Sequence, residues 1–276
     1  MKKRTIVLTF TLIILFIVSI GIGLYLGMRE DRREQKRVIL YPGHIRVMQY
    51  NINHGLTPQN KSNLGYINEL IQQEQPDILC INSIDNGVKR SGYINQPRKL
   101  RETLKMQHSW GEAFQIGDGW SGNAIYTRFP IEFAQNVLFR ERNKDQNAFL
   151  YVALGYEGIE LHVLTTSLKK DNFKIRLTEL ENFISERGLN KQHVIIAATV
   201  PAQVDNREIL DLNKSYYSIF DHSELKYSFP AKNPEQRYDH LFFSKNIKIL
   251  EGKILHTELT RKISTHLPLS ANIDIQ

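Results

Sequence analysis

Ile45-Arg46-Val47-Met48-Gln49-Tyr50-Asn51-Ile52-Asn53-His54-Gly55 reads as a strand running into a polar end. Ile45, Val47 and Gln49 alternate with Arg46, Met48 and Tyr50, the period of two expected where successive side chains leave opposite faces of a sheet. Asn51 arrives at the C-terminal end of that strand, and Gly55 marks a turn after it. A buried strand that delivers an amide to its end, with a glycine behind it, often serves a site. The simpler reading is a strand followed by a turn.

Downstream of this strand the same two periodicities continue. Ser62 to Gln75 has Leu64, Ile67, Leu70 and Ile71 at helical spacing, with Ser62 as a cap and Pro76 as a stop. Asp77 to Ile84 is a short apolar strand, and Arg98 to Met106 is a helix with Leu100 and Leu104 on one face. Asn123 to Tyr126 and Ile131 to Leu138 read as paired strands joined at Arg128-Phe129-Pro130. Ala148 to Gly155 and Ile159 to Thr166 form a hairpin around Glu157-Gly158. Asn172 to Gly188 is the longest helical pattern, carried by Ile175, Leu177, Leu180, Phe183 and Ile184 and ended by Gly188. His193 to Val200, Asp239 to Phe243, Ile247 to Leu255 and Leu269 to Ile275 are further strands. Many strands, few helices and no repeat predict an α/β sandwich of two sheets flanked by helices.

Upstream, Thr5 to Met28 carries no charge and is dominated by Ile, Leu, Val and Phe. As a helix it would exceed the roughly 30 Å hydrocarbon core of a bilayer, and it is longer than the apolar region of a cleaved signal. The expected organisation is a short tail at 1–4, a transmembrane anchor at 5–28, a charged stalk at 29–44 closed by Pro42-Gly43, and a folded domain at 45–276. Basic residues flank the anchor on both sides, so the positive-inside rule does not orient it. A very short N-terminal tail favours a single-pass protein of the cell membrane with an extracytoplasmic domain.

The 276 residues are 41% hydrophobic, 24% charged and 10% aromatic, a globular composition. The formal charge is +7. Residues 1–44 hold eight Lys or Arg against three Asp or Glu, a surplus of five, which leaves +2 for residues 45–276. The basic surplus therefore fits a membrane-flanking segment rather than a nucleic-acid surface. The single cysteine, Cys80, excludes an intrachain disulfide and sits in an apolar run, as a small buried hydrophobe would.

Several stretches of this domain, in register, resemble one family. They are Arg46 to Ile52, Pro76 to Ile81, Asp85 to Gly92 with Gln96-Pro97, Gly122 to Pro130, Phe229 to Pro234, Arg237-Tyr238-Asp239 and Ser264 to Pro268. Their order and spacing are similar to the endonuclease/exonuclease/phosphatase superfamily. That resemblance implies a four-layer α/β sandwich of two mixed sheets and hydrolysis of phosphate esters with Mg²⁺ or Mn²⁺. Such an ion takes oxygen ligands, carboxylates among them, and an acid/base group must activate water.

Position by position, the resemblance also shows departures. The family's metal-binding Glu is Ser83 here, in the pair Asn82-Ser83. The phosphate-contacting His of a Thr-His-Leu stretch is Ser167. The Asp and Asn of a Gly-Asp-x-Asn motif are Thr199 and Pro201, and the Asp of the closing Asp-His pair is Thr265. Asn51, Asn123, Asp239 and His266 match the family, with Asp239 and His266 as its orienting Asp and final His. The expectation is a membrane-tethered, catalytically inactive or weak domain that binds a protein, a phosphorylated ligand or an envelope surface. No metal ligand and no cofactor are expected. The alternative is an active Mg²⁺- or Mn²⁺-dependent phosphodiesterase, nuclease or phosphatase with relocated ligands, for which Asp85, Asp118 and Asp205 are candidates. Nucleic acid is not an expected partner, because the domain is nearly charge-balanced.

Overall fold

The computed structural model describes residues 43–140, 147–202 and 205–275. The first half of the domain contains β1 (Ile45–Asn51), α1 (Leu64–Glu74), β2 (Ile78–Asn86), α2 (Gln96–Leu104), β3 (Gln107–Ile116), β4 (Gly119–Thr127) and β5 (Ile131–Leu138). Then come β6 (Ala148–Tyr156), β7 (Ile159–Ser167), α3 (Phe173–Glu186), β8 (His193–Thr199), α4 (Arg207–Ser215), β9 (Tyr216–Ser218) and β10 (Asp239–Ser244). β11 (Ile247–Ile254), α5 (Thr260–Ile263) and β12 (Leu269–Ile275) complete the described chain. The expected anchor at 5–28 and all but the last two residues of the expected stalk lie outside the described residues. Among those described, no helix is long and apolar enough to cross a membrane.

Among the described residues, two mixed six-stranded sheets have the orders β11-β12-β1-β2-β4-β3 and β5-β6-β7-β8-β10-β9. β1 is central. It runs parallel to β2, with Asn51 opposite Asn82, and antiparallel to β12. Both of its faces are covered, which is why its pattern is not a simple polar–apolar alternation. Met48, Tyr50 and Ile52 pack with Leu64, Ile67, Leu70 and Ile71 of α1 and Leu100 of α2. Gln49 and Asn51 point the other way and bond to the second sheet. On that sheet Val194, Ile196 and Ala198 pack with Leu177, Leu180 and Ile184 of α3. The layers are therefore helix, sheet, sheet, helix.

Several boundaries differ from expectation for local reasons. α1 begins after Asn63 rather than at Ser62, which pairs with Leu56 in an isolated bridge. α2 starts at Gln96, because Pro97 fits the first turn and the Asn95 side chain accepts from Arg98 N. Ile175 is 54% exposed and lies off the buried face of α3. The expected pairing of Asn123–Tyr126 with Ile131–Leu138 is corrected. β4 and β5 belong to different sheets, and the chain crosses between them at Arg128-Phe129-Pro130. Arg128 N bonds back to Asp77 O in the first sheet, while Pro130 O accepts from Gly155 N in the second. The Glu157-Gly158 hairpin is found as expected between β6 and β7.

Candidate functional site

The site lies in the seam between the two sheets, at the ends of β1, β2, β8 and β10. Register places it: parallel pairing sets Asn51 beside Asn82, and antiparallel pairing sets Asp239 opposite Thr199. Asp239 is fully buried. Its Oδ2 accepts from Ser228 Oγ at 2.8 Å and contacts His266 Nδ1 at 2.8 Å. Its Oδ1 accepts from Thr199 Oγ1 at 2.8 Å and from Gln49 Nε2 at 3.3 Å. Burial works against the charge of this carboxyl, but the His266 charge and these hydrogen bonds outweigh it and hold Asp239 below the usual carboxylate range.

From Asp239 the network runs inward through neutral groups. Thr199 Oγ1 accepts from Asn51 Nδ2 at 3.2 Å. Gln49 Nε2 donates to Asn82 Oδ1 at 2.9 Å, and Asn82 Nδ2 donates to Asn123 Oδ1 and Thr165 Oγ1 at 2.9 and 3.0 Å. Asn123 Nδ2 ends the chain on Ala148 O. These amides and hydroxyls cross-link the sheets, and each bond offsets the cost of burying a polar group there. Gln49 Oε1 has no hydrogen-bond partner among the described residues.

His266 sits at the mouth, its side chain 11% exposed. Phe229 packs between it and Tyr238, with ring centroids 4.8 Å from each. Ser264 Oγ accepts from His266 N and donates to Asn51 O, tying the histidine loop to the end of β1. An imidazole held by a carboxylate through Nδ1 has Nε2 left to bond a ligand or to take a proton.

The structure thus joins Asn51, Asn123, Thr199, Asp239 and His266 in one network. It does not join the other substituted positions. Ser83 is half-buried in a β-bulge between Asn82 and Ile84, with φ +54°. Ser167 lies outside the network, its carbonyl accepting from Asn147 Nδ2. Thr265 likewise offers its carbonyl, to Ala231 N. Pro201 is half-buried just beyond β8. Gln49, Asn82, Thr165 and Ser228 were missing from the sequence-based site. Gln49 and Asn82 had a usable signal, as amides inside apolar strands in register with Asn51.

The three alternative carboxylates do not rebuild a metal site. The bulge at Ser83 breaks the alternation that would have carried Asp85 onto the Ser83 face. Asp85 is instead fully buried, with Arg90 Nε and Nη2 on its two oxygens at 2.8 and 2.9 Å and His54 Nδ1 at 3.1 Å. Asp118 and Asp205 are exposed on loops. No group of three His, Cys, Asp or Glu side chains suited to a metal converges among the described residues. In the seam, both oxygens of Asp239 are taken by protein donors, and the surrounding groups are amides and hydroxyls. A divalent hard cation is usually held by one or two carboxylates with room for water. This donor set does not fit it.

The sequence model of the Endonuclease/Exonuclease/phosphatase family matches residues 48–266. The chain is 22% identical over 249 residues to the uncharacterized protein YbhP of Escherichia coli (strain K12), covering 84% of this chain and 96% of that one. Among solved structures it is similar to an endonuclease/exonuclease/phosphatase family protein from Leptotrichia buccalis C-1013-b, with TM-score 0.69, 16% identity and coverage of 84% and 100%. The human Nocturnin catalytic domain with bound sulfate anion superposes with TM-score 0.68 at 19% identity, covering 86% of this chain and 95% of that one. A mannosyl-6-phosphatase from Bacteroides thetaiotaomicron VPI-5482 does so with TM-score 0.66 at 15% identity, covering 83% and 99%. At these identities the structural likeness speaks to fold.

Proposed function

From the premise that the chain belongs to the endonuclease/exonuclease/phosphatase family, we propose that it keeps the family's fold as a binding scaffold at the cell envelope. In this reading it binds a phosphorylated ligand and hydrolyses phosphate esters weakly or not at all. The observation that carries the reading is the seam network. Where the family resemblance expects a carboxylate, Thr199 donates a hydroxyl to Asp239 and accepts from Asn51, and beside the substituted Ser83 the Asn82 amide bonds to Asn123 and Thr165. A fold alone does not carry a chemistry. The uncharged stretch at 5–28 supports tethering to a bilayer, with residues 29–44 as a stalk.

The preserved Asp239–His266 pair favours a second reading, an active Mg²⁺- or Mn²⁺-dependent phosphoester hydrolase with relocated ligands. One assay separates the two. The full chain is incubated with bis-p-nitrophenyl phosphate and p-nitrophenyl phosphate at millimolar Mg²⁺ or Mn²⁺, and its melting temperature is followed with each ion. The scaffold reading expects no turnover beyond that of Asp239→Asn and no saturable stabilisation by metal. Metal-dependent turnover that Asp239→Asn abolishes would overturn it and establish the hydrolase.

A further inference from the structure

Beyond the seam, the turn that follows β1 and the last residues of β2 meet in a second polar cluster. His54 follows Asn51 and Asp85 follows Asn82, and the two bond each other at 3.1 Å. The cluster is built rather than incidental. Gln96, buried, donates to His54 O at 2.7 Å and accepts from Asp85 N at 2.9 Å, so one side chain staples the two strand ends. Asn53, His54 and Gly55 are held in succession at φ +47°, +63° and +68°. Two such residues with side chains are a cost that surrounding structure must hold in place.

This cluster fixes Arg90. Its Nε and Nη2 are taken by Asp85, and Nη2 also contacts His54 Nδ1 at 2.9 Å. No acceptor among the described residues takes a hydrogen from Nη1, and the side chain is 34% exposed. The carboxylate behind it is fully buried, so the solvent side meets an oriented guanidinium with two donors to spare.

Arg90 lines a cavity of about 630 Å³ together with Val88, Lys89, Tyr93, Ile116 and Asp118. That volume suits a small molecule. Its two loops meet so closely that a Cβ at Gly119 would lie 2.5 Å from the Gly87 carbonyl. Tyr93 is held at φ +59°, strained for an aromatic residue, with its side chain 65% exposed at the rim. The cavity thus offers two adjacent cations on one loop, an exposed ring and the half-buried Ile116 side chain.

We propose that this cavity is a ligand subsite for a small phosphate monoester. The phosphate sits on Arg90 Nη1 and Lys89, and the organic group lies against Tyr93 and Ile116. A phosphate dianion can accept from Nη1 of this fixed guanidinium, with the ammonium as a second point charge. Asp118, on the other loop, disfavours an anion there and favours a hydroxyl or amino group. The inference rests on the reading of the chain as a binder of phosphorylated ligands and names where that binding occurs.

The test is calorimetric titration of the full chain in non-ionic detergent with phenylphosphonate, a non-hydrolysable monoester analogue, beside inorganic phosphate and phenol. Saturable phenylphosphonate binding about tenfold tighter than that of phosphate is expected, with none for phenol. Tyr93→Ala should weaken phenylphosphonate about tenfold and leave phosphate unchanged, whereas Lys89→Gln should weaken both. Arg90→Gln alone strands the buried Asp85 charge. The pair Asp85→Asn with Arg90→Gln removes the guanidinium without that burden and should abolish binding. Phenylphosphonate binding that survives Tyr93→Ala, Lys89→Gln and the pair would overturn the subsite. Loss of that binding in His266→Ala alone would return the ligand to the seam, leaving the scaffold reading intact. Absence of any phenylphosphonate binding would overturn the subsite, while the turnover assay judges the scaffold independently.

Discussion

Asp239 stays ionised in the middle of the molecule because Thr199, Ser228 and His266 reach it from three separate parts of the chain. Removing one donor leaves a buried oxygen short of a partner. Thr199→Val, close in shape, should cost about 1–3 kcal/mol in urea denaturation, since it strips a bond from Asp239 and an acceptor from Asn51. Asp85 makes a prediction in pH. Burial raises its pKa, but hydrogen bonds from Arg90 and His54 outweigh that and bring it down to about 2. A folded value below the unfolded one means stability that is present above about pH 4 and lost as pH falls through about 2. Urea midpoints measured from pH 5 downward should fall less steeply in Asp85→Asn than in the wild type, by a difference on the order of 2 kcal/mol.

At the scale of elements, turns and bulges set the site's geometry. Ser83 pays a left-handed backbone at the β2 bulge. Ser83→Gly should be neutral or raise stability by up to about 1 kcal/mol, and Ser83→Val should lower it, both read from thermal melts. Gly122 on β4 sits so close to β3 that a Cβ would collide with the Gly111 carbonyl. Gly122→Ala should therefore destabilise by about 1–3 kcal/mol, as overpacking does. β2 and β8 are legible in the sequence as short apolar runs, β12 by its alternation at 2 and α3 by its spacing at 3.6. β3 is not, because an edge strand such as Gln107–Ile116 is half-exposed and its side chains carry little apolar alternation. The Ser83 bulge is also illegible. Nothing in Asn82-Ser83-Ile84 announces an extra residue, so the face on which Asp85 falls cannot be read from strand alternation.

For the whole molecule, the uncharged run at 5–28 predicts that the full chain sediments with membranes and resists alkaline carbonate extraction, whereas a chain lacking residues 1–42 is released. Recovery of the full chain in the carbonate supernatant would count against an anchor. The sequence by itself determined most of the strands, the helices α1 to α3 and the two-sheet sandwich. Those depend on local periodicity. Only the tertiary structure decided that β4 and β5 part into different sheets. It alone brought Gln49, Asn82 and Thr165 across to Thr199 and Asp239, and it bound Asp85 to Arg90 and His54. Register between distant strands and a single bulge control those meetings, and neither is encoded in any short stretch of sequence.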